Sequence, residues 1–249
     1  MKRIKNNEAI ALADIPKHSF ASFLDELALL MDGTRELLAC FIANSPAKGT
    51  TAELELLTLI GCPSTSDIAV LRCHLPSSYP ALTCRWPQFH LFEREMAEQY
   101  GVTPEGHPWL KPVRFHQVWH GNQDAWGRDA QQHPLVGDME YFQVAGDEIH
   151  EVGVGPVHAG IIEPGHFRFQ CFGEKVLHLE ISLGFQHRGA EQLFTGGPHA
   201  ATVCQMETLA GDTSIGHMLA YSQVMENLGG QRVNQKARDI RTIGLELER

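Results

Sequence analysis

Fourteen histidines and six cysteines in 249 residues are the groups with the most capacity for chemistry. Imidazole works as acid, base or metal ligand near neutral pH, and a thiolate as nucleophile or soft ligand. Spacing decides between these roles. The cysteines stand at 40, 62, 73, 84, 171 and 204, with no C-x-x-C pair and no zinc or iron–sulfur spacing. They read as buried thiols of a cytosolic chain. No H-E-x-x-H motif occurs, and a hydrolytic metal centre would need three converging ligands that no spacing supplies. No dinucleotide fingerprint is present either: Gly153-Val154-Gly155 lacks the third glycine and the following helix. Glu93, Arg94 and Glu95, taken alone, read as a solvated helix face. Gly106-His107-Pro108 reads as a rigid turn.

The elements that hold these groups follow from periodicity. Residues 19–31 predict an amphipathic helix capped by Ser19, with Phe20, Phe23, Leu24, Leu27 and Leu30 on one face and Gly33 beyond its end. Strands are expected over 35–42, 53–60 and 68–75, the first two separated by the turn-rich stretch 44–49. A proline-punctuated loop over 76–87 leads into a second helix, 88–100, closed by Gly101. This is a small two-layer α+β domain over 1–118. Residues 119–151 have little periodicity and read as a linker that wraps a surface, since Trp119 and Trp126 lie in it. Paired strands are expected over 152–172 and 174–183 with a turn near Gly173. A short helix follows over 187–194, then a long helix over 204–228 stopped by Gly229-Gly230, then another from 235. Two helices and a hairpin do not close a core, so the 152–249 domain reads as incomplete, or as completed by a partner.

Composition narrows the class. The formal net charge is −10, and the densest basic run, 236–241, is interrupted by Ala237, Asp239 and Ile240. That argues against nucleic acid, whose binding rests on clustered Lys and Arg. No stretch approaches the roughly 20 apolar residues of a membrane span, and the basic N-terminus has no apolar signal core behind it. The expectation is a cytoplasmic chain that meets a membrane only through a partner.

Two families share these motifs. Phe92-Glu93-Arg94-Glu95-Met96-Ala97-Glu98-Gln99-Tyr100-Gly101, followed by Gly106-His107-Pro108-Trp109-Leu110, resembles the signature of the thirty-kilodalton subunit of respiratory complex I, which recurs in membrane-bound hydrogenases. In that family the segment is a docking platform. The second half resembles the large subunit of formate-hydrogenlyase-like nickel–iron hydrogenases and its complex I relative, the forty-nine-kilodalton quinone-site subunit. The residues are Gly155-Pro156-Val157-His158, then Glu163-Pro164-Gly165-His166-Phe167-Arg168, then Gly184-Phe185-Gln186-His187-Arg188-Gly189-Ala190-Glu191. The chain departs from both relatives. Ala210 and Thr213 stand where hydrogenases place two nickel-ligating cysteines, and the second cysteine pair would lie beyond Arg249. Ala210, Thr213 and His217 are expected on one helix face at i, i+3 and i+7. The quinone-site tyrosine is absent from 210–213, and Tyr221 lies more than two turns away.

The resemblance implies a subunit of a complex I-like or energy-converting-hydrogenase-like oxidoreductase, peripheral on the inner face of the cell membrane. Its partners would be an iron–sulfur small subunit and a multi-span membrane subunit. No cofactor is expected on this chain itself: the iron–sulfur cluster belongs to the partner, NAD to another subunit, and a quinone is the implied acceptor. His166 matches the family's headgroup histidine, and Glu163 a proton-relay glutamate with one residue inserted. Asp212 is the other candidate acid, and His217 a second cofactor-facing residue. His158 and His187 read as structural. The alternative is a non-catalytic scaffold, or a truncated remnant, that docks the small subunit. The isolated chain is expected to be inactive and, with apolar helix faces exposed, poorly soluble or oligomeric.

Overall fold

The computed structural model describes residues 1–31, 33, 35–43, 53–119, 123–129 and 131–249. The expected turn over 44–49 and residues 120–122 and 130 of the expected linker lie outside the described residues. The fold is α+β. Two compact units form, one of Met1–Arg3 with Ile15–His187, the other of Ile4–Asp14 with Arg188–Arg249. Compactness therefore divides the chain at His187, whereas the motifs divide it at 118 and 151.

The first unit is built on a sheet of β2 (Lys17–His18), β3 (Glu36–Ile42), β4 (Leu54–Cys62) and β5 (Asp67–Leu75), with the first residues of β1 (Lys2–Lys5). Its order is β1-β5-β4-β3, with β2 parallel to β5 and β3, β4 and β5 antiparallel. The register puts Cys40, Thr58 and Leu71 side by side, and Leu56 beside Cys73. Alternation then sends Cys40, Leu56, Ile60, Leu71 and Cys73 to one face, all buried. Helices α1 (Phe20–Met31) and α2 (His90–Tyr100) supply facing apolar side chains, with Phe23, Leu27, Leu30 and Met96 in the same core and Phe89, just before α2, beside them. Ser19 caps α1 as expected, its hydroxyl accepting the Ser22 amide at 3.2 Å. Gly101 ends α2 at φ 67°, and a Cβ there would stand 2.6 Å from the Gln123 carbonyl oxygen. The loop over 76–87 is more ordered than its prolines suggest. It holds β6 (Ser78–Pro80), which pairs in parallel with β7 (Thr103–Glu105) and ties the chain before α2 to the chain after it.

A second sheet carries β8 (Ile149–Val154), β9 (His166–Phe172) and β10 (Lys175–Ser182), antiparallel in the order β10-β9-β8. The hairpin turns at Gly173, φ 55°, as expected. The single strand expected over 152–172 is two strands. Gly155, at φ 89°, turns the chain out of β8, and a Cβ on it would overlap the Gly165 carbonyl oxygen. The first of these strands starts at Ile149, inside the expected linker. The sheet is two-sided in an unusual sense. Gln170, Glu180 and Ser182 are buried, while Val152, Val154, Leu179 and Ile181 on the other face are exposed.

The second unit holds α3 (Ala190–Leu193), α4 (Thr202–Glu207), α5 (Ser214–Leu228) and α6 (Gln235–Glu248). The long helix expected over 204–228 is α4 and α5, broken because Ala210 is extended at φ −149°, ψ 125°. Asn234 caps α6, its side chain accepting the Ala237 amide at 2.9 Å. Among the described residues of this unit no apolar side chain is buried.

Candidate functional site

The charged residues of α2 are not a solvated face. Glu93, Arg94 and Glu98 are buried. Burying a charge is tolerated only when hydrogen bonds replace the lost water, and here they do. Glu93 accepts the Leu82 amide at 2.7 Å and the Thr83 amide at 2.9 Å, together with the Thr83 hydroxyl. Glu98 accepts the amides of Val113, Arg114 and Phe115 at 3.0, 2.8 and 2.7 Å. Between them Arg94 donates from Nε to the Lys111 carbonyl at 2.7 Å and from Nη2 to the Pro112 carbonyl at 2.9 Å. Burial lowers the Arg94 pKa below its ordinary value. One turn of helix thus fastens the loop before α2 and the loop after Pro108. Only Glu95 of the triplet lies near the surface, paired with Arg114 at 2.6 Å.

The Gly106-His107-Pro108 turn sits on the same helix. His107 Nδ1 accepts the Trp109 amide at 3.0 Å, so its Nε2 carries the proton donated to the His90 carbonyl at 3.3 Å. His90 Nε2 accepts from Arg94 Nη1 at 3.2 Å. Both imidazoles are therefore neutral. Burial first, then the Arg94 charge, pushes the His90 pKa down; burial also leads the lowering at His107. Lys111 continues the chain of contacts. Its ammonium pairs with buried Glu180 on β10, donates to the Glu140 carbonyl at 2.6 Å, and lies 4.4 Å over the Trp109 ring. Glu180 also accepts the Phe142 amide at 3.0 Å, and Gln170 accepts the Val144 amide at 2.5 Å. The segment 140–144, expected as part of a linker, is a strap bonded to the polar face of the second sheet. Asp124, likewise in the expected linker, is buried and accepts the Trp126 and Arg128 amides at 2.9 Å each.

His166 opens β9, opposite Ser182. Its Nε2 stands 3.2 Å from where a Cβ on Gly153 would be, so the glycine on β8 leaves the ring its space. Glu163 is exposed in the loop before it. Among the described residues the two side chains make no hydrogen bond to each other. His158 and His187 have structural contacts: His158 Nε2 lies 2.8 Å from the Gly165 carbonyl, and the His187 ring lies 4.6 Å from that of His116. Cys84 and Cys204 are exposed, against the expectation of buried thiols, while Cys40 and Cys73 are buried, with thiol pKa values pushed by burial up to about 12.

In the second unit Ala210 and Thr213 precede α5 rather than lying on its face. The Thr213 hydroxyl is 2.9 Å from His217 Nδ1. Asp212 is exposed in the turn before the helix. The open amides at the α5 start are taken by a residue the motifs did not single out. Glu248, at the end of α6, accepts the Ile215 amide at 2.5 Å and the Gly216 amide at 2.9 Å. A carboxylate at a helix N-terminus satisfies orphan donors and the helix dipole together. A nickel–iron centre of hydrogenase type does not fit these residues, since Ala210 has no donor atom and a threonine hydroxyl is no soft thiolate.

Residues 15–142 match the family described as respiratory-chain NADH dehydrogenase, 30 Kd subunit. The chain belongs to that family. The matched span covers α1 and α2, strands β2 to β5 of the first sheet and the buried carboxylate clamp. Similar proteins extend past it. Formate hydrogenlyase subunit 5 of Escherichia coli (strain K12) is 31% identical over 186 residues, covering 69% of this chain and 32% of that protein. Hydrogenase-4 component G of the same organism is 30% identical over 179 residues, with the same shares, 69% and 32%. The second C/D protein of the NADH-quinone oxidoreductase of Aquifex aeolicus (strain VF5) is 29% identical over 203 residues, covering 68% of this chain and 35% of that protein. The chain thus spans about a third of the length of the curated relatives it matches. Among the described residues no helix is long and apolar enough to cross a membrane.

Proposed function

We propose that the chain works as a subunit of an oxidoreductase assembly of the NADH-quinone or energy-converting-hydrogenase kind, on its peripheral arm. The observation that carries this reading is the order of its parts. A complex I thirty-kilodalton region over 15–142 is followed, in the same chain, by the hairpin and helices that resemble the hydrogenase large subunit. The thirty-kilodalton region is a docking platform. The buried Glu93, Arg94 and Glu98 bond mainly to backbone amides and carbonyls, so they hold loops in place. Electrons reach the site from an iron–sulfur cluster on a small partner subunit, and a multi-span partner connects the assembly to the membrane. NAD, where used, binds another subunit.

Within this reading the second-half residues handle the acceptor. His166 faces a quinone-like headgroup, with Glu163 as its proton carrier; on the second unit Asp212 is the further candidate acid and His217 the further candidate cofactor-facing residue. Imidazole titrates near neutrality and suits a proton donor to a reduced quinone. The scaffold alternative has one observation in its favour: Ala210 and Thr213 remove the metal site without replacing it.

The experiment is co-purification of the tagged chain from solubilised native membranes, followed by quinone-reductase assay of the complex with His166→Ala. Recovery of an iron–sulfur protein and a multi-span membrane protein, with turnover reduced at least tenfold, supports the full reading. Recovery of both with normal turnover removes the role of His166 and leaves the scaffold. Recovery of neither overturns the assembly itself.

A further inference from the structure

The second unit holds a cleft of about 510 Å³ that the proposed function does not use. It is lined by α5, α6, the turn between them and Asn7, and Leu219 and Leu245 are part of its apolar lining. Three arginines line it: Arg232, Arg238 and Arg241. One is neutralised. Arg241 forms a two-point pair with Glu226, Nη1 to Oε2 at 3.0 Å and Nη2 to Oε1 at 2.5 Å. That hydrogen bond raises the Arg241 pKa and lowers that of Glu226, so both stay charged and occupied with each other. Arg232 and Arg238 have no side-chain partner among the described residues. The charged lining is thus three cations and one anion, in a chain whose formal net charge is −10.

Part of this charge stands at the start of α6. The first turn of that helix carries no acidic residue, and Lys236 and Arg238 fall in its first four positions. A helix N-terminus is the positive end of the dipole, where basic residues are unfavourable and anions favourable. The arrangement works against the stability of α6 unless an anion sits beside it. Guanidinium groups bind phosphate oxygens with two parallel hydrogen bonds, more strongly than a point charge does. The volume lies in the range of small-ligand pockets, and the leucines in the lining can meet the body of a ligand whose anionic group meets the arginines.

We propose that the cleft between α5 and α6 binds a phosphate-bearing ligand through Arg232 and Arg238, with Arg241 held in position by Glu226. The phosphate belongs either to a soluble phosphorylated small molecule or to an anionic lipid headgroup. The site shares no residue with the proposed acceptor residues His166 and Glu163, and its test does not require quinone reduction.

The test uses the full chain at about 150 mM salt, where the Debye length of about 8 Å screens loose surface attraction. Pyrophosphate binding is read by titration calorimetry. Co-sedimentation is read with phosphatidylcholine vesicles with and without phosphatidylglycerol. The variants are Arg232→Gln with Arg238→Gln, and Lys175→Gln, a single charge removed from β10. Saturable binding to either probe, weakened about tenfold or more in the arginine variant and less than twofold in Lys175→Gln, supports the site. Which probe binds identifies the source. Binding to neither probe, or equal losses in both variants, overturns it. An unchanged helical circular dichroism signal confirms that the arginine variant is folded; the single variants Arg232→Gln and Arg238→Gln replace it if it is not.

Discussion

Glu98→Ala should unfold the first unit at markedly lower temperature, and the size follows from its contacts. The carboxylate is fully buried and accepts three backbone amides, those of Val113 and Arg114 on Oε2 and that of Phe115 on Oε1. Alanine removes the acceptor and leaves three donors in a dry site, with Arg128 losing a carboxylate 3.6 Å away. Each hydrogen bond to a charged group contributes roughly 1.5–3 kcal/mol, but losses at one site do not add in full. Breaking a buried charged group from its partners costs about 3–5 kcal/mol. For a domain of this size that is a fall in Tm of about 10 °C. Glu98→Gln keeps one oxygen and should lose about half as much, because its amide group must face at least one amide donor. Differential scanning calorimetry of the full chain separates the transition of the first unit from that of the second. A loss under about 1 kcal/mol for the alanine variant would refute the clamp, since a solvated glutamate on a helix face costs no more than that.

Other outcomes follow from the same geometry. The stability of the first unit should fall as pH drops below 6.5, the ordinary histidine value. The unfolded chain then takes up protons that His90 and His107, with depressed pKa values, still refuse; below the folded values the dependence levels off. Replacing both by Gln should flatten that slope in denaturant melts between pH 7.5 and 5, and an unchanged slope would remove the pair from the explanation. Gly101→Ala should cost about 1–2 kcal/mol from the left-handed backbone alone, with a further loss from the 2.6 Å approach to the Gln123 oxygen; a neutral urea midpoint would contradict it. Glu248→Ala uncovers two amides at the start of α5 and should lower the stability of the second unit by about 1–2 kcal/mol. Hydrogen exchange at Ile215 and Gly216 should speed up in that variant while exchange in α2 does not change.

The sequence located the elements well where one periodicity ran without conflict. Ser19, the alternation in β3 to β5, Gly101 and Gly173 are local signals, and the chain obeys them because each acts within a few residues. It misjudged segments whose order comes from distant partners. The strap at 140–144 has no period of its own and is fixed by Glu180 and Gln170, which lie about forty and thirty residues later. The break before α5 has no proline to mark it.

The sequence by itself determined the family and the α+β class, because these rest on residue identity and local pattern. Only the tertiary structure decided what the charges of α2 do. Glu93, Arg94 and Glu98 look the same in sequence whether they face water or backbone. Their burial depends on loops folding back over the helix, and that return brings groups ten to eighteen residues away within hydrogen-bond distance. The same reason hid Glu248, whose role depends on α6 ending beside the start of α5. A side chain's chemistry is written in its type, but its partner is chosen by the fold.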